Sequence, residues 1–140
     1  FSGIAKYIEK LKEDARENGF AVTFFGRRRY LPELNSLNSM LRSQAERIAV
    51  NMPIQGLEAD IIKKAMIEVD GWIQGENYNK DLKMLLQVHD ELLFEVKENL
   101  AEKLTPKIAK LMSGVIKLKA PIITETKVGD NWAKMYARTS

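Results

Sequence analysis

Two adjacent carboxylates, Asp90 and Glu91, lie between two apolar runs in the segment 85–96. Apolar residues recur at every second position before His89 (Met84, Leu86, Val88) and after it (Leu92, Phe94, Val96). This period of two is typical of half-buried β-strands. We therefore predict a β-hairpin whose tight turn falls at His89 and Asp90. Both acids would then lie at the tip, with fixed directions and open to water.

Carboxylates in this position suit a divalent metal ion. Mg²⁺ takes oxygen ligands, usually one or two carboxylates together with substrate phosphates. Two such ions about 3.5–4 Å apart stabilise both the attacking and the leaving oxygen of a displacement at phosphorus. The same residues also fit an ordinary polar turn, because Asp side chains hydrogen-bond to nearby backbone in turns. From the spacing alone, both interpretations stay open.

A cluster of arginines follows Gly26 directly: Arg27, Arg28 and Arg29. Guanidinium groups hold phosphate oxygens in pairs, so the cluster fits a phosphate-binding site. A solvated run of charge at the protein surface fits it as well. From these residues alone we favour the solvated run.

Three hydrogen-bond donors, Arg47, Asn51 and Gln55, are spaced four residues apart. This spacing places them along one edge of an α-helix for as far as the helix continues. The minor groove presents similarly placed acceptors, purine N3 and pyrimidine O2, in both A·T and G·C pairs. Donors directed at them would bind any correctly paired duplex. The alternative is a polar helix edge that faces water.

The composition bounds the class of protein. The chain of 140 residues allows one compact domain or a part of a larger one. Its formal net charge of +3 fits a polyanionic partner without requiring one. Because it has no cysteine, disulfides, thiolate zinc sites and cysteine nucleophiles are excluded. No apolar run approaches the roughly 18 residues of a membrane span, so no membrane partner is expected.

Helical and strand patterns alternate along the chain, which predicts an α+β fold. We expect Gly19 to end the first helix and Pro53 to end or kink the second. Pro106 should lie in the first turn of the last helix or mark its true start. The predicted helices cover residues 4–15, 40–51, 57–74 and 104–115, and strands outside the central hairpin cover 20–25, 28–31 and 121–128. Because the chain runs straight into a helical pattern from Phe1, we expect it to be cut from a longer protein.

Four segments, in the same order, resemble the motifs of the family A DNA polymerases, the bacterial DNA polymerase I type. These are Phe25–Pro32, Ala45–Gly56, Gln87–Leu92 and Val128–Trp132, the last with the spacing Gly-x-x-Trp. The resemblance implies the polymerase palm, an antiparallel sheet packed against helices, preceded by the last helix and hairpin of the fingers. Residues 1–35 would end the fingers, and residues 36–140 would form the C-terminal part of the palm.

The resemblance also implies a role for each matching residue. Asp90 would be a catalytic residue and a ligand of two Mg²⁺ ions, which it would share with residues outside this chain. Glu91, also in the catalytic set, would lie near the primer terminus. The residues that match DNA-binding positions are Arg28, Arg29, Arg47, Asn51, Gln55 and His89. Leu57 and Glu58 replace the small residues that the family usually carries after Gln-Gly, so no family role passes to them.

The implied reaction is template-directed addition of deoxynucleotides to a primer 3′-hydroxyl. The implied partners are primer-template DNA, deoxynucleoside triphosphates and the N-terminal remainder of the polymerase, covalent or as a separate chain. The family also needs an earlier aspartate and a helix that grips the triphosphate. No segment of this chain matches either of them, so we expect no activity from this chain alone. The resemblance also implies a location in the bacterial cytoplasm with the nucleoid, or in an organelle.

Two alternatives remain at this point. One is a non-catalytic DNA-binding fragment or subunit of the same fold. The other is a single-subunit RNA polymerase, which shares the architecture, although the segments 27–32 and 87–92 fit the DNA enzymes better.

Overall fold

The computed structural model describes residues 2–137, which form helices and antiparallel strand pairs and so confirm the α+β class. The pairs are β1–β2, β3–β4 and β5–β6. Among the described residues, no helix is both long and apolar enough to cross a membrane. In chain order the elements are α1 (Ser2–Asn18), β1 (Phe20–Val22), β2 (Arg28–Tyr30), a 3₁₀ helix (Pro32–Asn35), α2 (Ser39–Gly75), β3 (Leu82–Val88), β4 (Glu91–Val96), α3 (Glu98–Gly114), β5 (Lys127–Val128), a second 3₁₀ helix (Trp132–Lys134) and β6 (Tyr136–Ala137).

The chain divides into two compact units, Phe1–Asp60 and Ile61–Ser140, and the boundary falls within helix α2. Each unit has a buried apolar cluster of its own. The first cluster consists of Ala15, Ala21, Leu31, Leu34, Ala45 and Ala49, and the second of Val69, Ile73, Leu82 and Leu104. The assignment of residues 1–35 to the fingers and 36–140 to the palm stays a prediction.

Two glycines with positive φ connect these elements, one between α1 and β1 and the other in the turn between β1 and β2. Gly19 ends α1 at φ 76°, as predicted, and its N–H donates to the Ala15 carbonyl at 2.9 Å. In the turn between the strands, the Gly26 N–H donates to the Thr23 carbonyl at 2.9 Å, and Gly26 itself has φ 84°. A tight turn followed by a left-handed residue is a common three-residue hairpin loop, and glycine adopts it without steric cost.

A polar network joins this turn to helix α2. The Thr23 hydroxyl donates to Asp60 Oδ2 at 3.0 Å, and Arg27 Nη2 donates to Asp60 Oδ1 at 2.9 Å and to the Gly56 carbonyl at 3.1 Å. Thr23 is only 4% exposed, so its hydroxyl needs a partner inside the protein. A Cβ on Gly56 would overlap the Thr23 methyl group and lie 3.2 Å from Thr23 Cβ. Glycine at this position therefore allows the turn to approach the helix.

An ion pair joins α1 to α2 in the same unit. Arg16 Nη2 lies 2.5 Å from Glu46 Oε1, and the Glu46 side chain is 21% exposed. The hydrogen bond from Arg16 lowers the pKa of Glu46 below its ordinary value of 4.5. The positive charges of Arg16, Lys12 and Arg42 lower the pKa further, and together these effects outweigh burial, which acts in the opposite direction.

Helix α2 is continuous where the sequence predicted two segments that separate near Pro53. A proline inside a helix leaves the carbonyl four residues earlier, here that of Ala49, without its N–H partner, at a cost of about 3 kcal/mol or more. Burial offsets this cost, because Ala49 before the proline and Val69 after it are each at most 1% exposed. The packing of such faces supplies most helical stability in proteins. The expectation that the helix ends at Pro53 was therefore wrong.

Two further expectations need correction. Helix α3 begins at Glu98, so Pro106 lies near its middle and not in its first turn. Ala101 and Leu104, which precede the proline, are buried, and their packing extends the helix toward the N-terminus. Within the predicted strand 121–128, only Lys127–Val128 is paired, with β6. The β-branched residues before it favour extended backbone, but a strand forms only where a neighbouring segment pairs with it.

We expect Glu46→Gln to destabilise the protein at neutral pH and to lose this effect in acid. A carboxyl with a lowered pKa in the folded state contributes stability above its unfolded pKa, and this contribution is lost as the pH falls through the folded pKa. The difference in free energy of unfolding between the variant and the wild type should therefore shrink below pH 4.5. Urea titrations over a series of pH values measure it.

Glu9→Gln is the matched control, because Glu9 is 60% exposed in its ion pair with Lys12. Exposed pairs contribute at most about 1 kcal/mol, so this variant should stay close to the wild type. A Glu46→Gln effect that does not change with pH would contradict the prediction.

Gly56→Ala should lower the free energy of unfolding by about 1–3 kcal/mol, because the new methyl group overlaps a Thr23 side chain that its hydrogen bonds hold in place. Gly71→Ala in the same helix is the matched control. Its Cβ would meet nothing within 4 Å, so alanine there should be neutral or stabilise by up to about 1 kcal/mol. Urea unfolding of both variants measures the contrast.

A second substitution tests the cause. Thr23→Ser removes the overlapping methyl group and keeps the hydroxyl, so it should recover part of the stability lost in Gly56→Ala. Similar losses in the two alanine variants, or no recovery in the double variant, would rule out the close approach as the reason for glycine at position 56.

Candidate functional site

The candidate carboxylates lie at the tip of the hairpin formed by β3 and β4. Val88 pairs with Glu91, which leaves His89 and Asp90 as a two-residue loop. The predicted turn is confirmed: Asp90 lies in the loop, and Glu91 is the first residue of β4. His89, Asp90 and Glu91 are all exposed. Their side chains are therefore open to a ligand.

The backbone of this turn is constrained at His89, the loop residue that directly follows β3. His89 has φ 53°, in the left-handed region that costs a non-glycine residue free energy. The side-chain amide of Gln87 donates a hydrogen bond to the His89 carbonyl and so helps to hold the loop. Gln87 was not among the predicted site residues. No sequence signal marks it, because the side chains known for bonding to nearby backbone are the shorter ones of Ser, Thr, Asn and Asp.

A β-bulge separates the base of the hairpin from its tip. The pairing register shifts between Met84 and Leu86, so two positions on β3 lie opposite one on β4. Below the shift, Met84 packs against the second buried cluster, whereas Leu86 above it is 49% exposed. The sequence predicted both residues on the same apolar face. The inserted residue, Leu85, interrupts the period of two on which that prediction rested.

The tip supplies only part of a metal site. The exposed oxygens of Asp90 and Glu91 are the donors that hard divalent cations such as Mg²⁺ accept. Within the described range 2–137, no group of three or more His, Cys, Asp or Glu side chains comes together as a metal site. These two residues therefore fit a cation whose remaining ligands come from water, substrate phosphates or another segment.

The predicted donors on α2 share one edge of the helix. Because the helix continues past Pro53, Gln55 keeps its spacing from Arg47 and Asn51. All three side chains are exposed. Arg47 and Asn51 also line a groove with Ile8 of α1. The edge therefore presents a row of donors to solvent, as the sequence predicted.

The arginine cluster separates into two parts. Arg27 is engaged with Asp60 and the Gly56 carbonyl, whereas Arg28 and Arg29 are exposed on β2. The guanidinium carbon of Arg28 lies 4.7 Å from the centroid of the Phe20 ring. Arg28 and Arg29 are thus the members of the cluster that can meet an external phosphate.

The predicted site residues fall into two groups, one in each unit. The N-terminal unit brings together Arg47, Asn51 and Gln55 on one helix edge, and it also carries Arg28 and Arg29 on β2. The C-terminal unit brings together His89, Asp90 and Glu91 at the hairpin tip.

The backbone of residues 134–135 passes close to Gly129, the glycine of the Gly-x-x-Trp segment. A Cβ on Gly129 would overlap the Lys134 carbonyl oxygen and lie 2.9 Å from Met135 Cα. The chain returns over Gly129 because β5 pairs with β6, with Val128 opposite Tyr136. Trp132, between the two strands, is 54% exposed. Only glycine leaves room for this return.

Comparison with known proteins gives a family match over nearly the whole chain. The family model "DNA polymerase family A" matches residues 1–134. DNA polymerase I of Pseudomonas aeruginosa is 47% identical over 136 residues, which cover 97% of this chain and 15% of that protein. DNA polymerase I of Deinococcus radiodurans is 42% identical over 132 residues, which cover 94% of this chain and 13% of that protein.

A solved structure agrees with the sequence matches. It is the POL domain of Pol1 from M. smegmatis in complex with DNA primer-template and dNTP, with 46% sequence identity and a TM-score of 0.81. The match covers 86% of this chain and 21% of that one. The chain thus spans about 15% of the length of the P. aeruginosa relative. From the family model and these relatives we conclude that the chain belongs to DNA polymerase family A.

Proposed function

We propose that this chain is the C-terminal part of a DNA-directed DNA polymerase that extends a primer 3′-hydroxyl by two-metal phosphoryl transfer. The observation that carries the proposal is the exposed pair Asp90 and Glu91 on a constrained two-residue loop, within a chain of family A. The substrates in this proposal are primer-template DNA and deoxynucleoside triphosphates. The M. smegmatis neighbour, which was solved with primer-template and dNTP, supports them.

In this proposal the hairpin tip holds metal and primer end together. Asp90 binds Mg²⁺ through its exposed carboxylate, and Glu91 supports the primer terminus. When bound, two Mg²⁺ ions supply charge stabilisation to the attacking and leaving oxygens. His89, in its left-handed conformation, orients the loop and contacts DNA near the primer end. Gln87 keeps the loop in this conformation through its bond to the His89 carbonyl.

The N-terminal unit contributes binding of the duplex. Arg47, Asn51 and Gln55 donate hydrogen bonds to minor-groove acceptors that every correctly paired step presents. Recognition of this kind tolerates any sequence, as a copying enzyme requires. Arg28 and Arg29, free of the ion pair that occupies Arg27, contact backbone phosphates.

The proposed enzyme needs more than this segment. The tip offers two neighbouring carboxylates, and no group of three or more His, Cys, Asp or Glu side chains forms a metal site among the described residues 2–137. A further aspartate and the groups that bind the triphosphate would come from the rest of the polymerase, covalently joined or as a separate chain. We accordingly propose that this chain alone does not extend a primer. The proposed location is the nucleoid in the bacterial cytoplasm, or an organelle.

The incomplete metal site also favours one alternative, a non-catalytic DNA-binding fragment or subunit of the same fold. The two functions differ in whether Asp90 contributes to turnover. In the enzyme, loss of its charge removes a metal ligand, whereas in a binding subunit the same change leaves every measured activity intact.

Asp90→Asn in the whole polymerase should reduce the single-turnover rate of primer extension about 100-fold or more, because the amide is a poor Mg²⁺ ligand and transition-state charge loses several kcal/mol of stabilisation. Binding of primer-template should change little. Quenched-flow extension and fluorescence anisotropy measure the two quantities.

Asp70→Asn serves as the control, since Asp70 is an exposed aspartate on α2 in the same unit as the hairpin and should leave the rate unchanged. Near-normal extension by Asp90→Asn would exclude Asp90 from the chemistry and favour the binding subunit.

A further inference from the structure

An exposed aromatic surface on the β1–β2 hairpin is not explained by the roles above. Phe20 pairs with Tyr30 and Val22 pairs with Arg28, and residues directly opposite in a strand pair point to the same face. We call these four residues the ribbon face. Ala21, which points to the other face, is 5% exposed and belongs to the buried cluster. The ribbon face is therefore directed away from the core of its unit.

The ribbon face holds rings and a cation side by side. The rings of Phe20 and Tyr30 meet edge to face, with centroids 5.7 Å apart. The Arg28 guanidinium lies over the Phe20 ring, 4.7 Å from its centroid. Tyr30 is nevertheless 70% exposed. The side chains are thus positioned before any ligand arrives, which lowers the entropic cost of binding.

The turn extends this surface beyond the strands. Phe24, at the tip, is 66% exposed and contacts Phe25 edge to face at 5.2 Å. Residues 20–30 include three arginines and neither Asp nor Glu. Exposed large apolar groups that gather in one place mark binding surfaces. Arg28 is the arginine on the ribbon face, since Arg29 pairs with Ala21 and Arg27 is bound to Asp60. The surface therefore combines aromatic rings with one positive charge.

Aromatic rings beside arginines have the chemistry of a single-stranded nucleic-acid site. Every base has a π-face that stacks on an aromatic side chain, and guanidinium groups contact the phosphates between bases. Paired bases cannot offer their faces in this way, because they are stacked within the duplex. A ligand with a negative backbone and unpaired bases therefore uses both features of the surface.

We propose that the ribbon face and Phe24 bind the unpaired template strand, with bases stacked on Tyr30 and Phe24 and phosphates at Arg28. This inference rests on the proposed function, since it takes primer-template DNA as the substrate. It places the phosphate that Arg28 contacts in the unpaired part of the template, whereas the α2 edge and Arg29 bind the duplex.

The test compares two DNAs with the same paired length in the whole polymerase, one with a long template overhang and one blunt. Tyr30→Ala should weaken binding of the overhang DNA about tenfold, the usual effect of losing one stacked base, and should leave binding of the blunt DNA unchanged. Tyr30→Phe keeps the ring and should bind both DNAs like the wild type. Fluorescence anisotropy measures the six dissociation constants of the three proteins on the two DNAs.

Tyr7→Ala is the matched control, because Tyr7 is an exposed tyrosine, 50% accessible, on α1 of the same unit. It should change neither affinity. A 2-aminopurine base in the overhang gives a second readout, since stacking quenches its fluorescence. The wild type and Tyr30→Phe should quench it, and Tyr30→Ala should quench it less.

Equal losses on the two DNAs, or no loss on either, would overturn the proposal, and so would a ribbon face that another part of the polymerase covers. In that last case Tyr30→Ala would lower the melting temperature without any dependence on the overhang. Failure of the proposed function would look different, because the wild-type polymerase would then not extend a primer on any template.

Discussion

The absence of a side chain at Gly56 is the constraint on which the N-terminal unit depends. Because Gly56 has no Cβ, the Thr23 methyl group can lie against α2 at this position, and the Thr23 hydroxyl can donate to Asp60. Arg27 closes the contact by bonding to both Asp60 and the Gly56 carbonyl. The β1–β2 hairpin is thereby held against the helical turn that carries Gln55. One steric condition thus positions two surfaces, the donors on the helix edge and the aromatic ribbon face.

Structural features that depend only on residues close together in the sequence were predictable. Alternating apolar residues around His89 and Asp90 predicted the central hairpin and its turn, and the two-residue loop confirms them. Gly19 ends α1 because the left-handed conformation needed there is one that glycine readily adopts. The helical spacing of Arg47, Asn51 and Gln55 likewise survives, since it requires only that the helix continue. In each case the local chemistry and the fold favour the same conformation.

Features that depend on distant residues or on burial were not predictable in this way. Asp60 lies 33 positions after Arg27, and no local pattern indicates that it takes this arginine away from the cluster of three. Pro53 and Pro106 break the local rule because buried neighbours outweigh the lost hydrogen bond. The proposed metal site was predictable only as far as Asp90 and Glu91, because two adjacent acids cannot specify ligands that would lie on other segments.

The bulge at Leu85 has a consequence for how the hairpin finds its correct alignment. Strands of alternating residues can slide past each other, and a slip of one position would turn every inward side chain outward. An inserted residue fits opposite the partner strand in one alignment only, so a slipped pairing would place it where the ladder has no room. The bulge therefore favours a single pairing register of β3 and β4 during folding. It ensures that Asp90, and not a neighbour, emerges at the apex.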